Sequence, residues 1–117
     1  MTNTDLSEGL SFEGRTIRVA GRMWSVDYDI HDCRLVDYHV VVLYDNMGGP
    51  RHRQFRNLEA FDLEGRKLWT AEHATSETAD VYVSFMPGPP LTVLSFACFV
   101  CKIDPVTGRI IHKTFTK

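Results

Sequence analysis

No window of a dozen residues in this 117-residue chain carries an apolar stripe at helical spacing. The nearest approach is Asn57–Leu68, where Leu58, Phe61 and Leu68 are helix-spaced but Gly65 interrupts them. A helical fold is therefore excluded. The longest apolar run, Val40–Tyr44, falls far short of the roughly 20 residues that cross a bilayer as a helix. The start, Met1–Asp5, is polar and has no basic stretch followed by an apolar one, so no secretion leader is read and a cytoplasmic location is expected. Cysteine is sparse and odd in number (Cys33, Cys98, Cys101), which argues against a disulfide framework and for buried thiols. Excess positive charge is missing too. Thirteen basic against fifteen acidic side chains leave a net charge of −2, which argues against a general nucleic-acid binder. The sequence contains no G-x-S-x-G, no P-loop, no G-x-G-x-x-G and no H-E-x-x-H, so neither an enzyme nor a cofactor is expected.

What the chain does contain is period two. Trp24, Val26, Tyr28 and Ile30 alternate with Ser25, Asp27, Asp29 and His31, which predicts a strand with one wet face. Cys33–Val36 and the β-branched run Val40–Tyr44 follow, the latter suited to a central strand covered on both faces. Residues 45–56 form a loop broken by Gly48-Gly49-Pro50. Leu58–Asp62 and Lys67–Glu72 make a hairpin about Gly65, and Val81–Phe85, Leu91–Phe96, Cys98–Asp104 and Arg109–Thr116 complete the strands. The expected fold is all-β: an antiparallel meander of about 8–9 strands in two blade-like, packed or strongly twisted sheets. Residues 1–10 are expected to be a flexible tail ahead of one β domain, 11–117.

One segment recurs. Glu59-Ala60-Phe61-Asp62-Leu63-Glu64-Gly65-Arg66-Lys67-Leu68-Trp69 matches Val100-Cys101-Lys102-Ile103-Asp104-Pro105-Val106-Thr107-Gly108-Arg109-Ile110-Ile111, with the aspartates 42 positions apart and the glycines 43. The aspartate accepts hydrogen bonds from the turn and the glycine takes positive φ, so the motif specifies a hairpin. It resembles the segment that closes blades in quinoprotein-type β-propellers, and the chain is similar to small uncharacterised bacterial proteins that hold about two such blades. The resemblance implies two blade-like repeats, about 22–72 and 81–116. Quinone binding does not carry over, because it needs many blades about one axis. Two blades also leave edges and one apolar face uncovered, for which a homodimer is one remedy.

The candidate sites are local. Arg51-His52-Arg53-Gln54-Phe55-Arg56 is the densest basic stretch, and Arg51, Arg53, Phe55 and Arg56 are the expected contacts to a protein partner. Asp27 and Asp29 share one strand face and form a second candidate surface. Cys98 and Cys101 are spaced C-x-x-C, but in a strand residues three apart point to opposite faces, so they are only weak metal candidates. None of the five histidines sits at ligand spacing. Met86–Leu91, with three prolines, reads as a rigid connection, with an exposed apolar tip as the alternative. The expected function is non-enzymatic protein binding, with an immunity-type role fitting the size. The alternatives are a small-ligand or metal-binding domain built on Cys98 and Cys101, and a structural homodimeric subunit.

Overall fold

Eleven strands, all paired antiparallel, form the regular structure of residues 9–116, the part of the chain that the computed structural model describes. They are β1 (Ser11–Glu13), β2 (Thr16–Val19), β3 (Arg22–Ser25), β4 (Ile30–Val36), β5 (His39–Tyr44), β6 (Leu58–Phe61), β7 (Lys67–Thr70), β8 (Tyr82–Phe85), β9 (Thr92–Ser95), β10 (Phe99–Ile103) and β11 (Ile110–Phe115). No α-helix occurs among the described residues, and none is long and apolar enough to cross a membrane. The expected tail of residues 1–10 lies mostly outside the described residues. Leu10, at the end of that expected tail, packs against the core.

The all-β antiparallel class holds, but the count is corrected. There are three sheets, each a meander in chain order: β1-β2-β3, β4-β5-β6-β7 and β8-β9-β10-β11. The first repeat does not start at residue 22. Arg22–Ser25 closes the first sheet, and the second sheet begins at Ile30. The expected continuous strand Trp24–Ile30 is broken because the backbone N–H of Val26 donates to Arg15 (2.8 Å) and that of Ile30 to Gly14 (2.9 Å). Both bonds wrap the chain around the β1–β2 turn. The sidedness survives the bend: Val26 and Ile30 are buried beside Trp24 and Tyr28, while Asp27, Asp29 and His31 face out.

The sheets stack in three layers, with the second in the middle. Val40, Val42 and Tyr44 of β5 pack with Ile17 and Val19 of the first sheet. Val41 and Leu43 pack with Tyr82, Val93, Cys101 and Ile103 of the third. Burial on both faces is why this strand is apolar at every position. On the first sheet the row Ser11–Arg18–Met23 points away from the core, and that outer face is largely polar. On the third sheet the rows Thr92–Lys102–His112 and Leu94–Val100–Thr114 both point away from the core, so its outer face mixes polar groups with the half-buried Leu94 and Val100.

Each layer is pinned to the next by a tryptophan on a glycine. A β carbon at Gly65 would lie 2.9 Å from the Trp24 ring, and one at Gly108 2.6 Å from the Trp69 ring. Both glycines have positive φ, 88° and 78°. The turns use their aspartates as the repeat requires. Asp62 Oδ1 accepts the backbone N–H groups of Glu64 (2.8 Å) and Arg66 (2.9 Å), and Asp104 Oδ1 accepts that of Val106 (2.9 Å). The Arg66 and Glu64 N–H groups and the Arg66 guanidinium hold the Asp62 carboxyl at about 2, below the usual carboxylate range. Trp69 Nε1 donates to the Pro105 carbonyl (2.9 Å), and His39 Nδ1 donates to the same oxygen (2.9 Å). Asn57 crosses between β5 and β8: its Nδ2 donates to the carbonyls of Tyr44 (3.1 Å) and Tyr82 (2.7 Å), and its Oδ1 accepts from Tyr82 N (3.0 Å).

Candidate functional site

The arginine loop is folded around its aromatic residue. Asp45 starts it: its side-chain Oδ1 accepts the N–H of Met47 and its carbonyl accepts that of Gly48, both at 2.9 Å. This tight turn throws the Met47 side chain outward. Gly49 then passes directly over Phe55, whose ring lies 2.3 Å from where a β carbon would stand. Phe55 is only 5% exposed and packs edge-on against Tyr28, with ring centres 4.7 Å apart. The expectation that Phe55 contacts a partner is corrected: it is the loop's anchor in the core. Arg51, Arg53 and Arg56 remain exposed around it.

Two buried or half-buried polar side chains fix the opposite wall. Gln54 Nε2 donates to the carbonyls of Thr75 and Glu77, both at 2.9 Å, tying the loop to the segment that joins β7 to β8. Asp80 is fully buried. It accepts from Thr75 N (3.1 Å) and Thr75 Oγ1 (2.7 Å), and from Ala97 N (3.2 Å). That last bond holds the β9–β10 turn, where Cys98 takes φ 72° and its N–H donates to Ser95. Phe96 stands on this turn, 64% exposed. Between the two walls lies a groove of about 370 Å³ lined by Asn46, Met47, Gly49, Arg51, Thr78, Ala79, Val81 and Phe96. Met47 is 65% exposed.

Arg51 is thus joined by Met47 and Phe96, neither of which the sequence pattern marks as a contact. The pattern puts Phe96 inside a strand. The strand instead ends at Ser95, and Phe96-Ala97-Cys98, with Cys98 at φ 72°, makes the turn into β10. Arg53 and Arg56 do not line the groove. The aspartate candidates stay separate from it. Asp29 pairs with Arg15 across the β1–β2 turn (3.0 Å), and Asp27 stands exposed two residues before it.

The cysteines do not form a common centre among the described residues. All three are free thiols. Cys101 is wholly buried in the core between the second and third sheets, and burial raises its pKa. Cys98 sits on the turn outside β10. Cys33 is raised to about 12 by burial and the neighbouring Asp32 carboxylate. No group of three or more His, Cys, Asp or Glu side chains able to hold a metal ion occurs among the described residues. A larger cleft, about 610 Å³, lies at the opposite end of β5, between the β4–β5 turn and the proline-rich loop.

No curated protein and no solved structure matches the chain. The family described as a domain of unknown function (DUF7957) matches it over residues 8–115, nearly its whole length, and the protein belongs to that family.

Proposed function

We propose that the protein is a non-enzymatic protein-binding module, with the groove between Met47, Arg51 and Phe96 as its contact surface. The observation that carries this reading is the composition of that surface. Two large apolar side chains, each about two-thirds exposed, flank an arginine. Methionine, aromatic residues and arginine are the types enriched in interface cores, and exposed large apolar groups that cluster are uncommon without a partner. Three of the buried polar side chains support a non-catalytic reading. Asn57, Glu59 and Asp80 are each engaged in bonds that hold one strand or turn to another. The similarity of the repeats to propeller blades is part of the same proposal: blade-like sheets supply a rigid support and the loops between them supply recognition.

The test is affinity capture from the source cell, comparing the wild-type chain with the double variant Arg51→Ala, Phe96→Ser. Both side chains are largely outside the core, so the variant should keep its folding stability within about 0.5 kcal/mol. A stoichiometric partner should be retained by the wild type and weakened at least about 30-fold by the variant, the loss expected for a hot-spot residue. Equal capture by both chains, or no specific capture by either, overturns the proposal.

A further inference from the structure

We infer that the partner of the Arg51 groove is recognised through a short acidic segment, in which carboxylates flank a large apolar side chain. The inference rests on the protein-binding reading of that groove and adds the chemistry of what enters it.

The charge of the groove follows from how its loop folds. Gly49 closes over the Phe55 ring, and Gln54 is bonded to the facing wall through Thr75 and Glu77. With Gln54 and Phe55 turned inward, Arg51, Arg53 and Arg56 are left outside on a backbone that is tied down. Arg51 is the one charged side chain among the described residues that line the groove.

Elsewhere on the surface, cations find carboxylates. Arg15 meets Asp29 at 3.0 Å, Arg66 meets Asp62 at 2.9 Å and Lys67 meets Glu59 at 3.0 Å. Arg51, Arg53 and Arg56 form no ion pair among the described residues. The acids of the two walls do not serve them. Asp80 is buried, with Oδ2 taken by Thr75 and Oδ1 by the Ala97 N–H. Asp45 Oδ1 is taken by the Met47 N–H, and Glu77 is exposed but does not line the groove. The complement of an unpaired guanidinium is a carboxylate, which it can hold through two parallel, charge-assisted hydrogen bonds. The complement of Met47 and Phe96, each about two-thirds exposed, is an apolar side chain laid between them.

The neighbouring acids limit the length of that segment. The Asp45 N–H donates to the Asp29 carbonyl (2.9 Å), so the turn that starts the arginine loop sits against the turn that carries Asp27 and Asp29. A nucleic-acid strand needs a basic track several phosphates long. Here the arginines are bounded on the first-sheet side by three aspartates, which would repel a run of phosphates. A short acidic peptide segment meets the arginines without crossing them.

The probe is a displayed library of random seven-residue peptides, selected in parallel on the intact chain and on its Arg51→Ala, Phe96→Ser variant. Peptides retained by the wild type alone should carry Asp or Glu beside Leu, Met or an aromatic residue. In such a peptide, replacing the acids by their amides should weaken binding at least about tenfold, the loss expected for a hydrogen bond between charged groups. Raising the salt to about 0.5 M should weaken the acidic peptide and leave the amide form unchanged. Arg51→Glu should lose the acidic peptide and gain one whose acids are replaced by lysine, a reversal that a merely structural role for Arg51 would not produce. Wild-type-specific peptides that are not acidic, or that bind equally well as amides, overturn the inference and leave the groove as a protein-binding surface. Absence of any wild-type-specific peptide also overturns it, while the lysate capture decides the protein-binding reading separately. Displacement of the acidic peptide by oligothymidylate at equal concentration would assign the arginines to nucleic acid and overturn the inference too.

Discussion

Gly21 and Gly108 have nearly the same backbone, φ 77° and 78°, in different surroundings. A β carbon at Gly21 would meet nothing within 4 Å, whereas Gly108 lies under the Trp69 ring. Gly21→Ala should therefore cost only the left-handed penalty, about 1–2 kcal/mol. Gly108→Ala should cost that and displace the indole from the sheet interface, about 3–4 kcal/mol in all. Chemical denaturation of the two variants measures the difference, and equal losses would mean that the indole stacking adds nothing. His73 offers a second residue-scale test. It is 8% exposed, packs on Tyr82 with ring centres 4.5 Å apart, and neither ring nitrogen has a partner in hydrogen-bond geometry among the described residues. Burial, helped by the Arg56 charge, holds its pKa below the usual value near 6.5, against the opposing pulls of the Ala71 backbone, the Asp80 carboxylate and the Phe55 backbone. Above that value both folded and unfolded chains carry a neutral imidazole. As pH falls through it, the unfolded chain takes up a proton that the folded chain refuses, so stability declines, by at most about 1.4 kcal/mol per pH unit. His73→Phe should flatten the decline between pH 7 and 5. An unchanged profile would assign it to other groups.

At the scale of elements, what the sequence shows and what it hides have different physical origins. Side-chain alternation is local, so the faces of residues 24–31 and the double burial of Val40–Tyr44 are readable without knowing their neighbours. Where a strand stops depends on remote backbone partners. The break after Ser25 comes from carbonyls at Gly14 and Arg15, which no local pattern announces. The third layer is hidden for a related reason. Gly21-Arg22 with Trp24 parallels Gly65-Arg66 with Trp69 at 44- and 45-residue spacing, but the first turn lacks the aspartate and is shorter, so it does not match the repeat. Phe55 misleads because an aromatic among arginines looks like a contact residue. Only the glycine above it shows that the ring points inward. Asn57 is the element-scale connection least visible in the sequence. Asn57→Ala would leave Tyr44 and Tyr82 backbone groups buried without partners, a loss of about 3 kcal/mol. Asn57→Asp should be at least as costly, because it places a carboxylate oxygen against two carbonyls. Thermal melts of the two variants check the order, and an aspartate variant more stable than the alanine one would contradict this account.

For the whole molecule, the question is whether three layers behave as one folding unit. The stack is elongated, 46 × 27 × 20 Å, and its two core clusters lie on opposite faces of the middle sheet. They share β5, so neither can be lost without exposing alternate residues of the same strand. Losing the first sheet alone would bare Val40, Val42, Tyr44 and Phe61, and at roughly 1.5–3 kcal/mol for each large side chain that exposure is comparable to the stability of a small domain. Separate unfolding of the layers should therefore not be seen. The two tryptophans allow a direct reading, because Trp24 reports the contact between the first and second sheets and Trp69 that between the second and third. In the single-tryptophan chains Trp24→Phe and Trp69→Phe, fluorescence and far-ultraviolet circular dichroism should give coincident transitions within each variant. The Trp69→Phe chain should be the less stable of the two, since it also loses the indole bond to Pro105, whereas Trp24 Nε1 has no partner to lose among the described residues. A fluorescence transition that precedes the circular dichroism in the Trp69→Phe chain, where only Trp24 reports, would show the first sheet leaving alone. The middle sheet would then be stable with one face bare, and the shared strand would not couple the layers.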